Sequence, residues 1–377
     1  MTTRKKRKRK IAKGRVAAAV LLALAGIVLI LLGIWALLHP NGMGLGLDFF
    51  TASPSVSQIE DTPPTQQPQT EPEPVLALNP LTGTQTLAQD MTNTRPVAFM
   101  INNAKAAFPH NGISNFDVVY ELPVEGASTR LMALTADYRQ APRYGSLRSA
   151  RHDFVELAAA ADAVLVHWGG SDFAYNAISR YGVDHLDGMT YGERYFITDR
   201  SLGRDLEHTR FIEPEGLSQG LDAVSADLGE DGYSALFSFN PAGNTAGSIA
   251  ANQVRVPATG EITATFTYDA ETGRYAKGEF GTTETDGNTG ETVYVDNAFV
   301  LYTSVSLMED GVHKDIGLSS GSGYYISKGT AQPISWSKGS AGSRLTFADA
   351  SGAELLVNPG TSWIIFTGSD PDNTQFT

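Results

Sequence analysis

The chain holds 377 residues, with 28 basic and 41 acidic side chains, a formal net charge of −13 and no cysteine. The lack of cysteine excludes disulfides, thiol nucleophiles, cysteine-zinc sites and a lipid-modified N-terminal Cys. Nine basic residues fall within residues 1–15, so the rest of the chain has 19 basic against 41 acidic residues and a net charge of −22. This balance disfavours nucleic acid and other polyanionic partners.

An apolar segment follows the basic tail. Residues 16–38 contain no charged side chain, and as a helix they reach about 34 Å, enough to cross a bilayer core of about 30 Å. Because basic flanks stay in the cytoplasm, we expect a single-pass transmembrane helix with the N-terminus inside and the later domains outside the cell. The alternative is a cleaved signal peptide, whose apolar region is shorter and ends in small residues.

The remaining chain divides into a tether and two domains. Residues 39–78 are rich in Pro, Thr, Gln and Glu, a composition that predicts a disordered tether. Residues 79–232 mix buried-strand runs with helical periodicity, which predicts a layered α/β domain. Residues 233–369 show short alternating runs between turn residues, which predicts an all-β sandwich or barrel. The expected fold class is therefore α+β.

Periodicity and turn residues define the predicted elements. The predicted helices are 147–161, the helix that Ser171 caps and that continues to Tyr181, and 214–228. The predicted strands are 96–102, 118–124, 129–138, 163–168, 261–269, 292–305, 323–327, 331–337, 344–348, 353–357 and 362–367.

Several stretches together resemble the YerB-type lipoprotein family, known as DUF3048. They are residues 79–83 (NPLTG), 95–103 (RPVAFMINN), 118–130 (VVYELPVEGASTR), 145–151 (GSLRSAR), 163–171 (AVLVHWGGS), 182–188 (GVDHLDG) and 323–365, which contains GSGYYISKG, PISWSKGS and NPGTSWII. The resemblance implies a bacterial, extracytoplasmic, two-domain protein attached to the membrane, and it supplies no reaction. Members with a lipid anchor carry an N-terminal cysteine that this chain lacks, so the apolar helix would serve as the anchor.

A cationic group marks the start of the helix predicted at 147–161. Arg148, Arg151 and His152 are three and four residues apart, so we expect them on one helix face. Cations near a helix N-terminus oppose its dipole and call for a negative partner. That partner is either an anionic ligand such as a carboxylate or phosphate, or an internal carboxylate, with Glu121 and Glu125 as candidates.

His167 ends an apolar strand before Gly169, Gly170 and Ser171. Ligands collect beyond the carboxyl ends of strands in open α/β sheets, and paired glycines permit close backbone approach. His167 and Ser171 are therefore ligand-binding candidates, and the alternative for His167 is a buried imidazole bonded to a carbonyl. His208 is a further candidate. A His-Asn pair tends to follow the last N-domain strand of the resembled family, but here the pair is His208-Thr209.

The remaining charged positions define weaker candidates. Glu121 and Glu125 lie on one face of a strand, about 13 Å apart if the chain stays extended, so we expect pairing with arginine rather than acid–base catalysis. Asp184, His185 and Asp187 match no calcium or zinc spacing, so we expect an Asp/Gly turn and no metal. Residues that form either a pocket wall or a solvated face are Arg194, Arg200, His208 and Arg210.

These features favour a non-catalytic envelope protein that binds a ligand or partner, such as a cell-wall component, and that needs no cofactor. One alternative is a hydrolase of cell-wall glycan or peptide that uses Glu121 or Glu125 with His167. Another is a scaffold for membrane-bound wall-synthesis enzymes.

Overall fold

A computed structural model describes residues 75–229, 235–243 and 247–377. The predicted basic tail, the predicted transmembrane helix and residues 39–74 of the predicted tether lie outside these ranges. Within the described ranges, no helix is both long enough and apolar enough to cross a membrane.

Short helices and many strands alternate along the described chain. The α-helices are α1 (His152–Ala160), α2 (Asp172–Tyr181), α3 (Gly188–Tyr191) and α4 (Pro214–Ala223). The 3₁₀ helices are Gln89–Met91, Lys105–Ala107, Ile113–Asn115, Gly192–Arg194, Arg200–Leu202, Leu206–His208 and Pro371–Asn373.

The strands from the N-terminal half are β1 (Ala77–Asn79), β2 (Thr84–Leu87), β3 (Val97–Ile101), β4 (Val118–Pro123), β5 (Thr129–Thr135), β6 (Tyr144–Gly145), β7 (Val164–His167), β8 (His185–Asp187), β9 (Phe196–Thr198) and β10 (Arg210–Ile212). Those from the C-terminal half are β11 (Ile249–Ala250), β12 (Gln253–Pro257), β13 (Thr263–Asp269), β14 (Arg274–Glu279), β15 (Thr282–Thr283), β16 (Tyr294–Val295), β17 (Asn297–Tyr302), β18 (Val305–Leu307), β19 (Lys314–Ile316), β20 (Ser320–Ser327), β21 (Thr330–Lys338), β22 (Leu345–Ala348), β23 (Ser362–Thr367) and β24 (Gln375–Phe376).

One eleven-stranded sheet runs through both halves of the described chain. Its order is β11-β21-β20-β17-β23-β4-β5-β3-β7-β8, with β22 paired to β21. The junction is β23, which pairs in parallel with β17 on one side and with β4 on the other. Strands β17, β23 and β4 are buried along their whole lengths, as expected for strands covered on both faces.

Alternate residues of this sheet face two separate cores. Ala98 and Met100 of β3 face a core shared with α1 and α2, whereas Val97, Phe99 and Ile101 face a second core. This split follows from the two-residue period of a strand. The second core also contains residues of α4 and of the six-stranded sheet with the order β15-β14-β13-β12-β24, in which β16 pairs with β14.

Most predicted strands are confirmed to within a few residues, and β23 matches its predicted bounds. The C-terminal half is rich in strands and contributes two packed sheets, but it does not form a self-contained sandwich or barrel, because β17 reaches the N-terminal strands through β23. Two element predictions are wrong. The helix predicted at 147–161 begins at His152, and residues 353–357 form only isolated bridges, such as Phe239 with Val357.

A buried polar cluster lies where the two halves meet. Lys277 of β14 is fully buried, and its Nζ lies 2.8 Å from Glu279 Oε2 and 4.0 Å from Glu121 Oε2. Trp363 Nε1 of β23 donates to Glu121 Oε2 at 2.9 Å, and Asn103 Nδ2 donates to Glu279 Oε1 at 2.8 Å. Burial lowers the pKa of Lys277, but the carboxylates of Glu279 and Glu121 raise it by more, so the ammonium remains charged.

Replacing Lys277 with Met tests how strongly this cluster holds the halves together. Removing one partner of a buried ion pair leaves charge uncompensated and costs about 3 to 5 kcal/mol. We expect Lys277→Met to lower the free energy of unfolding by that amount in urea denaturation, whereas Lys105→Met at an exposed position has little effect. Equal stability of the two variants would contradict this role for Lys277.

Candidate functional site

A cleft of about 440 Å³ opens beside the carboxyl ends of β7 and β8. Trp168, Gly169 and Gly170 directly follow β7, and Met189 lies just past β8. The other lining residues belong to the segment 147–149 and to the turn that precedes β10. The cleft thus occupies the position where ligands commonly bind in open α/β sheets.

The segment 147–150 is extended because its backbone groups pair with three neighbouring stretches of chain. Arg148 N donates to Met100 O at 2.8 Å, Leu147 N donates to Arg210 O at 2.6 Å, and Ala150 N donates to Gly169 O at 2.9 Å. A helix through these residues would forfeit these hydrogen bonds. Arg148 and Arg151 therefore precede α1 and do not share a helix face with His152, which corrects the prediction from their spacing.

The back wall of the cleft is organised by Asp187. Its buried carboxylate accepts hydrogen bonds from Gly169 N at 2.8 Å, Met189 N at 2.9 Å and the Tyr175 hydroxyl at 2.7 Å. Three lining residues are therefore fixed by one side chain. The Asp/Gly turn predicted here is wrong, because His185 to Asp187 form β8 and Asp187 caps α3.

Two arginines give the cleft its positive charge. Arg148 Nη2 lies 3.0 Å from Glu207 Oε2, while Arg148 Nε is buried and has no hydrogen-bond partner among the described residues. The Arg210 guanidinium carbon lies 4.2 Å from the Trp168 ring centroid, and Arg210 Nη1 donates to Thr198 Oγ1. Burial and the like charge of Arg200 lower the pKa of Arg210.

A third guanidinium lies directly behind the cleft. Arg130 Nη1 donates to the carbonyl of Ser149, a lining residue, at 2.8 Å. Burial, the charge of Arg151 and a smaller contribution from Arg148 lower the pKa of Arg130 to about 9, although Glu125 opposes them. Such crowding of positive charge favours an anion at this end of the molecule.

His208 supports the turn that carries Glu207. Asn102 Nδ2 donates to His208 Nδ1 at 2.7 Å and to the carbonyl oxygen of Glu207 at 3.0 Å. His208 is itself buried. Thr209 stands where the resembled family tends to have the asparagine of a His-Asn pair, but the amide of Asn102 contacts His208. His208 thus positions the cleft wall and does not line the cleft.

His167 and Ser171 lie near the cleft but do not line it. His167 is fully buried, with Nδ1 2.8 Å from Gly169 O and Nε2 2.9 Å from His185 Nδ1. This is the carbonyl-bonded imidazole that the sequence analysis left open. Ser171 Oγ accepts from Ala174 N at 3.2 Å, which confirms the predicted helix cap.

The remaining candidates lie apart from the cleft lining. Arg151 pairs with Glu125 through Nε, and Arg151 Nη2 lies 3.0 Å from Glu125 Oε2, which is the internal pair predicted as one alternative. Glu121 does not pair with arginine as expected. It is fully buried and accepts from Thr129 Oγ1 and Trp363 Nε1. His152 faces Asp153 and Asp315 instead.

Sequence reasoning missed several lining residues. Trp168 precedes Gly169 and Glu207 precedes His208, so both could have been found as sequence neighbours of candidate residues. Tyr175 and Met189 gave no such signal, because only the shared contact with Asp187 brings them to the cleft.

Comparison with known proteins shows the family to which the chain belongs. The family model described as "Protein of unknown function (DUF3048) N-terminal domain" matches residues 81–227, and the corresponding C-terminal domain model matches residues 253–364. The chain therefore belongs to the DUF3048 family, as its resemblance predicted.

Two matches from Bacillus subtilis agree with this assignment. The chain is 30% identical over 295 residues to "Putative lipoprotein YerB" of strain 168, an alignment that covers 76% of this chain and 84% of that protein. The crystal structure of the YerB protein from Bacillus subtilis is similar with a TM-score of 0.71 and 26% identity, over 80% of this chain and 99% of that chain.

The pH dependence of stability tests the neutral state of His167. Burial lowers the pKa of His167 although Asp187 opposes this, so below about pH 6.5 the unfolded chain binds a proton that the folded chain does not. The stabilisation from His167 is therefore present above its unfolded pKa and is lost as pH falls. We expect the stability advantage of wild type over His167→Asn to shrink by up to about 1.4 kcal/mol per pH unit between pH 6.5 and 5.

The control is Val166→Ala in the same strand, which removes buried volume without removing a titratable group. Its stability deficit, measured by urea denaturation, should stay constant over the same pH range. A constant deficit for His167→Asn as well would show that His167 does not account for the acid sensitivity.

Proposed function

We propose that this DUF3048 protein is a membrane-anchored envelope protein whose extracytoplasmic body binds a carboxylate-bearing cell-wall component in the Arg148–Arg210 cleft. The ligand class is a small molecule or peptide end with one carboxylate and an apolar portion. The carboxylate would bind between the two guanidinium groups, and the apolar portion would pack on Trp168 and Tyr175.

The main support for this proposal is a concentration of positive charge at one cleft of an acidic protein. Residues 16–377 have a net charge of −22, yet Arg148 and Arg210 line one cleft with Arg130 directly behind it. Arginine forks bind carboxylates through paired charge-assisted hydrogen bonds. The acidity of the whole body weakens binding of long polyanions and leaves a single carboxylate as the favoured ligand.

Glu207 supports the choice of a carboxylate. Its own carboxylate already contacts Arg148, and its side chain is 50% exposed. Exposed ion pairs contribute about 0 to 1 kcal/mol, so a ligand carboxylate can displace Glu207 from Arg148 at small cost.

The residues expected of a hydrolase do not meet in this cleft. Glu121 is fully buried and bonded to Trp363, Glu125 is paired with Arg151, and His167 bonds Gly169 O. None of the three lines the cavity. The geometry thus supports a binding role better than acid–base hydrolysis by these residues.

The proposed location rests on the chain's N-terminal sequence and on a relative. Residues 1–38 combine a basic tail with an uncharged apolar segment, and the similar Bacillus subtilis protein is named "Putative lipoprotein YerB". In this chain, which has no cysteine, the apolar segment would take the place of a lipid anchor.

Ligand binding can be measured with muropeptides released from peptidoglycan by lysozyme, titrated into the full chain in detergent. We expect Arg148→Gln to weaken binding at least about tenfold, because a hydrogen bond to a charged group contributes about 1.5 to 3 kcal/mol. Glu207→Gln should strengthen binding up to about fivefold by removing the internal competitor.

Arg255→Gln, at an exposed position of β12, is the matched control and should bind as wild type does. Muropeptides with methyl-esterified carboxyl groups should bind no better to wild type than to Arg148→Gln. Equal affinity of wild type and Arg148→Gln for the free acids would overturn the proposal.

Membrane topology needs a separate experiment. In intact protoplasts, we expect added protease to digest a C-terminal tag and to leave an N-terminal tag protected, because the basic tail stays inside. A mature chain that begins after Leu38, or a protected C-terminal tag, would contradict the proposed anchoring.

A further inference from the structure

We propose that His152, Asp153 and Asp315 form a site for a divalent transition metal of the zinc type. His152 Nε2 lies 3.2 Å from Asp153 Oδ1 and 3.3 Å from Asp315 Oδ1. One potential ligand atom from each of the three residues lies within 4.8 Å of the other two. The cluster is independent of the Arg148–Arg210 cleft, whose lining contains none of these residues.

Two of the three ligand separations are compatible with tetrahedral zinc coordination. Nitrogen and oxygen ligands lie about 2.0 to 2.2 Å from zinc, so two ligands at the tetrahedral angle are separated by about 3.3 to 3.6 Å. Both distances from His152 Nε2 agree with that separation to within about 0.1 Å. An ion in this site would replace the direct contacts of His152 Nε2 with the two carboxylates.

The charge balance of the cluster also calls for a cation. Asp153 is buried, with 5% exposure, and its Oδ1 accepts one backbone hydrogen bond, from Ile316 N at 3.2 Å. In the described ranges of the chain, no lysine or arginine forms an ion pair with Asp153 or Asp315. A buried carboxylate such as that of Asp153, with an imidazole as its only ion-pair partner in the described chain, is costly without further compensating positive charge.

The imidazole bears on which metal the cluster would suit. The polar contacts of the His152 ring are made by Nε2, which faces both carboxylates; among the described residues Nδ1 has no hydrogen-bond partner. Imidazole is a good ligand for zinc and similar metals, whereas calcium and magnesium prefer sites built from oxygen alone. The donor set thus favours zinc over either of those ions.

The site would fasten a hairpin to the body of the protein. Asp315 lies in β19, which forms a two-stranded sheet with β18 and has no other strand partner in the described chain; such hairpins are marginally stable by themselves. His152 and Asp153 lie at the start of α1. An ion bound to all three would link β19 to α1, and Asp315, with its side chain 54% exposed, would leave room for water as a fourth ligand.

Isothermal titration of the full chain in detergent, after removal of metals with EDTA and dialysis, tests this site directly. We expect one zinc ion per chain and a rise in the melting temperature on adding zinc chloride, with much weaker responses to calcium and magnesium chloride. His152→Gln and Asp315→Asn should each weaken zinc binding at least about 100-fold, since even the loss of outer-shell partners costs 10- to 100-fold.

His313→Gln is the matched control, because His313 lies two residues from Asp315 but outside the three-residue cluster, and it should bind zinc as wild type does. Melting curves in EDTA show whether each variant remains folded, and the exposed Asp315→Asn is the safer variant in that respect. Absence of zinc binding by wild type, or equal binding by wild type and Asp315→Asn, would overturn the site.

Discussion

The fold depends on one constraint, the placement of β23 between β17 and β4. A strand from near the C-terminus pairs with strands from both halves, so without it the facing edges of β17 and β4 would have unpaired backbone groups. Trp363 of this strand also reaches the Lys277–Glu121 cluster. Two interactions thus hold the junction: the backbone hydrogen bonds of β23 and the buried charge cluster. Removing any member of that cluster would destabilise the fold.

This constraint explains what the sequence could and could not predict. Apolar runs such as 362–367 and 96–102 located strands closely, because a strand buried on both faces reads as a continuous apolar segment. The same runs carry no information about which strand lies beside which. A two-residue period assigns Phe99 and Met100 to opposite faces, but only long-range pairing shows that β23 joins the two halves.

The side chains of the cleft were also only partly predictable from the sequence. The spacing of Arg148 to Arg151 makes Arg148 a candidate, but the inferred helix face is wrong, because backbone hydrogen bonds donated to the carbonyls of Met100 and Arg210 keep this segment extended. Tertiary pairing overrode the local periodicity. Asp187 could not have been identified as the organiser of the cleft, since its three hydrogen-bonding partners come together only in the folded chain.

Burial gives the ion pairs of this protein two different roles. Around Lys277, all charged groups are inaccessible to water, so the cluster cannot exchange partners and acts as a fixed link between strands. The Arg148–Glu207 pair has the same chemistry, but Glu207 is half exposed. Water can replace either partner there, and a competing carboxylate can replace Glu207 with little loss of free energy. The exposed pair is therefore suited to ligand exchange, and its neighbour Asp187 keeps the surrounding wall rigid while exchange occurs.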